Sequence, residues 1–375
     1  MFNSPMTAHA ASADRLSHAA TAVVDAGLDA LLLTPGPDLR WLTGYEALPL
    51  ERLTCLVLPA GGEPFLVAPR LEVPAVEASA VPGLGIEVVG WSERDDPYAI
   101  VAGRLGTPAT VALANRMWAE QVLRFRAAFP HAEQSLASAV IGELRMRKDP
   151  DEVAALRRAG QAIDRVHQRM AEFLRPGRSE REAGRLIAAA ILDEGHATVD
   201  FVIVASGPNG ASPHHEVSDR VMQQGDVVVV DIGGTNHEGY CSDCTRMYTL
   251  GQPPQEFRDY FAVLHEAQLV ACEQAGPGVT AGSVDAAARS VIERAGFGEQ
   301  FFHRTGHGIG VETHEEPYIV EGNERVLEPG MAFSIEPGIY LAGKHGARIE
   351  DIVVTTDGGI ERLNVTEREY VTLEA

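Results

Sequence analysis

The chain has 375 residues, 45% of them hydrophobic and 22% charged, an ordinary balance for a soluble globular protein and enough for two domains with their own cores. Its formal net charge of -22 excludes a general nucleic-acid or anionic-membrane surface, either of which needs basic patches. No stretch reaches the roughly eighteen apolar residues of a membrane-spanning helix, and Met1-Phe2-Asn3-Ser4-Pro5-Met6-Thr7 has neither the basic start nor the apolar core of a signal peptide, so a cytoplasmic location is expected.

Residues 14–130 alternate between strand and helix signals. Strands are predicted at 29–34, 53–58, 64–68, 86–89 and 110–114, and helices at 14–26, 97–105 and 119–128. This is an α/β pattern without a Gly-rich phosphate loop. Trp41, Tyr45 and Trp91 read as packing residues before pocket residues. A domain boundary falls within 143–148, dividing the chain into 1–144 and 145–375. Immediately after it, Asp149 caps a helix with Pro150 at its first position, Glu152 three residues on, and an apolar face of Val153, Leu156, Ala159, Ile163 and Val166. Ser179 and Glu182 form a second capping box, opening a helix that carries Ala183, Leu186, Ile187, Ala190 and Ile191 and stops at Gly195. Further helices are expected at about 254–275 and 283–295, interleaved with a strand around 201–205 and others bearing acidic residues.

The four cysteines, Cys55, Cys241, Cys244 and Cys272, lack the arrangement of a secreted disulfide framework. Cys241 and Cys244 have CxxC spacing, but on a strand that odd separation points them to opposite faces, so they read as small packing residues flanking Asp243.

Asp231 ends the apolar run Val227-Val228-Val229-Val230, and Asp243 follows a turn-favouring polar stretch at 235–239. A hairpin whose turn is centred near His237 sets the two aspartates directly opposite, on one face, with Cβ atoms about 4.5–5.5 Å apart. A second hairpin centred on Gly343, between runs 331–340 and 348–355, sets Glu336 opposite Glu350. Opposed like charges are destabilising, so two such pairs make sense with cations between them. With His307 they form a set of four carboxylates and one imidazole, suited to manganese, cobalt, zinc or ferrous iron; the lack of thiolates argues against a structural zinc site. Two such ions about 3.5–4 Å apart lower the pKa of water, which makes hydrolysis the leading reaction class. Singly, Asp231 or Glu350 reads better as a hydrogen-bonding or ion-pairing residue, but that leaves the repeated cross-strand pair unexplained.

The stretches Asp231-Ile232-Gly233-Gly234 through Gly239-Tyr240-Cys241-Ser242-Asp243-Cys244-Thr245-Arg246, His303-Arg304-Thr305-Gly306-His307-Gly308-Ile309-Gly310, Ile335-Glu336-Pro337-Gly338-Ile339-Tyr340 and Arg348-Ile349-Glu350-Asp351 together resemble the metallopeptidases of the pita-bread fold. That resemblance runs through roughly residues 145–370, and 14–140 resembles the amino-terminal domain of the creatinase and proline-peptidase branch. It implies an α/β (α+β) chain with a small creatinase-like domain over 1–144 and a pita-bread catalytic domain over 145–375. It also implies two divalent ions, manganese first among them, a small peptide substrate and a homodimer. Under it, Asp231 would chelate one ion, His307 and Glu336 the other, and Asp243 and Glu350 both. His214, with His215 as its structural neighbour, matches the family's catalytic histidine; His314 matches one that contacts the scissile carbonyl; Glu336 would also move the proton.

His303 and Arg348 belong to the proline-specific pattern, as substrate-binding residues, although taken alone His303 reads equally as a core or hydrogen-bonding residue and Arg348 nearly as well as a structural ion pair. Two residues before Glu350, Arg348 faces the site, where it pairs with either a ligating carboxylate or the substrate's. Two departures stand out: twelve residues rather than the family's commoner eleven separate Asp231 from Asp243, and Thr313 replaces an Ile or Val. The expected activity is cleavage before proline by an Xaa-Pro dipeptidase, ahead of an Xaa-Pro aminopeptidase acting on longer peptides. A non-catalytic peptide-binding module of this fold commonly loses metal ligands, and creatinase-like amidinohydrolysis also lacks this set; all five are present here.

Overall fold

The computed structural model describes residues 13–374, so residues 1–7, read above for signal features, lie outside it. The chain divides into two compact units between Arg145 and Met146.

The N-terminal unit is built on strands β1 (Ala30–Leu33), β2 (Cys55–Pro59), β3 (Phe65–Pro69), β4 (Glu87–Trp91), β5 (Thr110–Leu113) and β6 (Glu133–Leu136), in the order β4-β3-β2-β1-β5-β6. The run Ala30-Leu31-Leu32-Leu33 is apolar without alternation and is buried at every position, as a central strand covered on both faces must be. Helices Ala13–Asp25, Pro97–Leu105 and Ala119–Ala128 lie where periodicity places them. A short helix, Pro37–Thr43, and the edge strand β6 carry no such signal; Glu-Gln-Ser-Leu has no alternating apolar face to read. Trp41, Tyr45 and Trp91 are buried, and Trp91 Nε1–H donates to the Leu53 carbonyl at 2.9 Å.

In the C-terminal unit both expected capping boxes close. Asp149 and Glu152 bond reciprocally at 2.8 and 3.0 Å, opening helix Pro150–Gln168. Ser179 and Glu182 do the same for helix Glu180–Asp193, and each cap contributes about 1 kcal/mol. These helices share a core with β7 (His196–Ser206), β8 (Val227–Asn236) and β9 (Cys244–Leu250), which with β17 (Val371–Leu373) form a sheet ordered β17-β9-β8-β7. A second core joins helices Gln255–Gln274 and Ala281–Arg294 to a sheet made of β10 (Gly306–Gly308), β11 (Glu315–Ile319), β12 (Ala332–Ile335), β15 (Asp351–Thr356) and β16 (Gly359–Arg362). Strands β13 (Gly338–Leu341) and β14 (His345–Arg348) form a two-stranded ribbon in the connection from β12 to β15. No described helix is long and apolar enough to cross a membrane.

Strand parity aims the acidic residues. On β8, Val228, Val230 and Ile232 enter the first core, while Val227 and Val229 enter the second. Asp231 is the next position on the second side. On β9, Met247 faces that same core, so Thr245 and, just before the strand, Asp243 share its side.

The first hairpin's register differs from the expected one. Asp231 pairs with Thr245, and the same register continues through the Thr235–Cys241 bridge, so Asp243 lies across from Gly233. The turn closes over Asn236–Gly239, with Asn236 Oδ1 accepting from Glu238 N and Tyr240 N and with Gly239 at φ 85°. That moves the turn's centre one residue towards the C-terminus and every pairing by two. A shift of two preserves the face, so the aspartates remain diagonal neighbours on one side. The second hairpin keeps its expected register: Ile335 pairs with Asp351 and Gly338 with Arg348, which sets Glu336 across from Glu350. Between those pairings the backbones part, Glu336 N donating to the Thr305 carbonyl and Glu350 N to that of Thr245.

Candidate active site

The two hairpins and the Gly306-His307-Gly308 strand meet at a cavity of about 1190 Å³, lined on one side by Asp231, Asp243, His307, Glu336 and Glu350 and elsewhere by His214, His303 and His314. Oxygen and nitrogen atoms of Asp231, Asp243 and Glu350 fall within 4.8 Å of one another, as do those of His307, Glu336 and Glu350, and Glu350 belongs to both groups. His314 stands against His307, with ring centroids 4.1 Å apart at 80°, and it joins a third such group with Asp243 and His307.

Divalent ions fit this arrangement on three counts. Asp231 Oδ1 and Glu350 Oε1 are buried with no hydrogen-bond donor, which is costly for a carboxylate unless a cation takes the lone pairs. His307 Nδ1 lies 3.1 Å from the Gly308 carbonyl and donates to it, which leaves Nε2 facing Glu336 Oε1 at 3.1 Å and Asp243 Oδ2 at 3.6 Å, where its proton bonds Glu336 and loss of that proton would open a lone pair to a cation. Burial, with the charges of neighbouring carboxylates, pushes Asp243 and Glu350 well above the usual carboxylate range. Burial also works to raise Glu336, but the His307 hydrogen bond and nearby cationic groups hold it at about 2. Carboxylates and imidazole without thiolate suit hard to borderline divalent metals.

Arg348 supplies the protein's own positive charge. Its Nη2 donates to Asp231 Oδ2 at 2.6 Å, and its Nη1 to Tyr340 OH at 2.8 Å. Its Nε donates at 3.0 Å to Thr245 Oγ1, which in turn donates to Glu350 Oε2 at 2.7 Å. Tyr340 OH lies 3.0 Å from His303 Nε2, and His303 Nδ1 lies 2.7 Å from the Arg304 carbonyl. A carbonyl at Nδ1 fixes the ring proton there, so Tyr340 donates to Nε2. Burial lowers the His303 pKa, in keeping with this neutral form. Arg348 thus pairs with a candidate ligating carboxylate, Asp231. Its guanidinium and both ring nitrogens of His303 have partners within the protein, although both residues line the cavity.

His214 lies on the loop between the 3₁₀ turn Gly207–Ala211 and Val221, is exposed, and lines the cavity. Its neighbour His215 is fastened instead, with Nε2 2.8 Å from Glu180 Oε2. The fully buried Glu180 carboxylate also accepts from Ser206 N and Oγ, Asn209 Nδ2 and Ser218 N and Oγ. Burial acts to raise its pKa, and these donors, Ser218 foremost, outweigh it and lower the pKa. Glu180 therefore ties both ends of the His214 loop to a helix N-terminus.

Sequence reading passed over Thr245, Tyr340 and Glu180. Thr245 was within its reach, standing two residues from Asp243 on the same strand face. Glu180 was not, because an acidic residue in a helix's first turn has a sufficient local explanation.

Residues 154–357 match the model of metallopeptidase family M24, and residues 15–147 match the creatinase/prolidase N-terminal domain. Among curated relatives, the chain is 52% identical to a probable dipeptidase of Mycobacterium tuberculosis over 362 residues, 96% of each chain. It is 37% identical to an Xaa-Pro dipeptidase of Lactobacillus delbrueckii over 355 residues, 92% of this chain and 95% of the relative. The crystal structure of a dipeptidase from Mycobacterium ulcerans superposes with a TM-score of 0.94 at 52% identity, covering 97% of this chain and 98% of the other. A family match over more than half of the sequence, joined to relatives alike along nearly their whole length, establishes that this chain belongs to metallopeptidase family M24 and is a metal-dependent peptidase.

Proposed function

We propose that this peptidase hydrolyses dipeptides of the form Xaa-Pro, using two divalent ions held by Asp231, Asp243, His307, Glu336 and Glu350. The observation that carries the dinuclear reading is the pair of donor groups sharing Glu350, each with a buried oxygen that no protein donor satisfies. The preference for proline rests on the Lactobacillus relative, itself an Xaa-Pro dipeptidase. Manganese is the first candidate for both ions. Bound there, they would polarise the scissile carbonyl and lower the pKa of water.

The chain's own groups then have separable tasks. Proline's amide nitrogen has no hydrogen and its ring fixes the backbone, so an extended β-type clamp would lack its donor. Side chains must hold the carbonyl instead. His314 is kept at about 4 by burial, then by the nearby charges of His307 and Arg304, so at neutral pH it presents an uncharged N–H to the carbonyl oxygen. His214, which also lines the cavity, would hydrogen-bond the same oxygen as its geometry becomes tetrahedral. Glu336, ionised at neutral pH, accepts the proton of attacking water and delivers it to the proline nitrogen, which cannot leave without it.

The test is to strip the protein of metal, restore manganese, cobalt or zinc, and compare Xaa-Pro dipeptides, longer Xaa-Pro peptides and Met-Ala peptides. Metal-dependent cleavage confined to Xaa-Pro dipeptides is expected. Preference for the longer Xaa-Pro peptides would make it an aminopeptidase, and no cleavage by folded, metal-loaded protein would end the hydrolytic reading.

A further inference from the structure

A dipeptidase must distinguish its substrate's free carboxylate from the amide of a longer chain, and the donor best matched to a carboxylate is a guanidinium. Three arginines line the cavity: Arg181, Arg304 and Arg348. Arg348 is committed to Asp231, Tyr340 and Thr245. Arg181 is paired with Asp219 at 2.7 Å on the exposed side. Arg325 does not line the cavity.

Arg304 differs from both. Among the described residues no carboxylate pairs with it; its guanidinium carbon lies 4.4 Å from the centroid of the Tyr318 ring. Such stacking fixes the plane of a guanidinium and leaves its edge N–H groups available. It is half-buried and lines the same cavity as His314, the imidazole assigned above to the scissile carbonyl. Its backbone is also held firmly. The Arg304 carbonyl accepts from His303 Nδ1, the Arg289 guanidinium donates to the His303 carbonyl, and Thr305 N and Oγ1 donate to the fully buried Asp285. An anchored segment thus presents to the cavity a stacked cation with no anion. Phe302, on the same segment and 64% exposed, and His303 add the aromatic surface that a proline ring packs against.

We propose that Arg304 is the carboxylate receptor of this site, binding the C-terminal carboxylate of the dipeptide and thereby setting the enzyme's limit on peptide length. The assignment rests on the dipeptidase reading. In a dipeptide the carboxylate is one residue beyond the scissile carbonyl, so the receptor must share the cavity with the group that binds that carbonyl, as Arg304 shares it with His314. A longer peptide would place a neutral amide against the guanidinium and continue into its edge.

The experiment compares kcat/KM for one Xaa-Pro dipeptide with that for its C-terminal amide, using the manganese-loaded parent, Arg304→Gln and Arg304→Lys. The parent should favour the free acid by roughly 100-fold, the scale of a charge-assisted pair. In Arg304→Gln that ratio should fall to within a few-fold of one, mainly through KM for the acid, while Arg304→Lys keeps an intermediate ratio. Competitive inhibition by free proline should weaken in parallel. Equal loss on acid and amide, or an unchanged ratio, would overturn the assignment and leave the dipeptidase reading standing. A parent that cleaves neither substrate, or the amide as fast as the acid, would remove that reading and this inference with it. If Arg304→Gln does not fold, the Arg304→Lys ratio decides, since an unchanged value there is incompatible with a bidentate receptor.

Discussion

Arg348 Nη2 and Asp231 Oδ2 lie 2.6 Å apart, both side chains buried, and the same guanidinium reaches Glu350 through Thr245. One cation therefore steadies members of both donor groups before any metal arrives. Arg348→Met leaves Asp231 as an uncompensated buried charge, which costs about 3–5 kcal/mol. Thermal unfolding in chelator should show the variant far below the parent, with added manganese restoring more stability to the variant. An identical gap with and without manganese would mean that Arg348 does not offset the carboxylates.

The metal-free protein should have an unusual pH dependence. Asp243 and Glu350 are raised by burial and by neighbouring carboxylates, so the folded state holds their protons more tightly than the unfolded chain. Stability from these groups is fully present below the unfolded values near 4 and declines as pH climbs towards the folded ones. Glu336, at about 2, acts in the other direction, and its contribution is lost as pH falls from about 4 through 2. Unfolding midpoints in chelator should therefore drop as pH rises above about 4, and saturating manganese should flatten that decline. Calorimetry in buffers of different ionisation enthalpy should show protons released on metal binding.

Glu180 collects donors from both ends of the loop that carries His214. Glu180→Gln preserves shape but substitutes an N–H for one acceptor, setting it against Ser218, Asn209 or His215. A stability loss of about 1–3 kcal/mol and a kcat reduced roughly tenfold or more are expected, with the stoichiometry of bound manganese unchanged. Loss of bound metal would relocate the effect from the loop to the donor cluster.

Glu336→Gln removes the proposed proton carrier while keeping the side chain's size and its bond with Ser334 Oγ at 3.0 Å. At saturating manganese, kcat should fall by about 10²–10⁴. Turnover near the parent's rate would contradict the role given to Glu336.

Gly306 carries no side chain because a Cβ would fall inside the Ser334 carbonyl, and one on Gly308 would meet the Glu316 carbonyl. His307 sits between them. Gly306→Ala should cost more than about 4 kcal/mol or abolish soluble expression, whereas Gly103→Ala, at a position with open space, should be tolerated. Circular dichroism melts distinguish the two.

Much of this molecule was legible from the residues themselves, for physical reasons that also mark the boundary. Asp149 with Glu152 and Ser179 with Glu182 announce helix starts through bonds that span three residues, and local chemistry of that kind is written locally. The facing of Asp231 and Asp243 was legible because side-chain alternation survives any even shift in register, while their direct opposition failed because Asn236 and Gly239 set where the turn closes. Arg348 could be placed towards the site by parity, but its partner depended on Asp231, 117 residues away. Strand β6 and helix Pro37–Thr43 are too short and too polar at their exposed positions to leave a period.

The two acidic hairpins also prescribe an order of assembly. Asp231 and Asp243 are joined by a short turn, as are Glu336 and Glu350, so each half can form on the microsecond scale of a hairpin. The bond that links the halves, Thr245 to Glu350, closes a loop of 105 residues and must wait for long-range docking. A chain still folding thus carries two separate acidic half-sites with little grip on a cation. A metal held by both halves would then be captured last, after the walls that restrain it are in place.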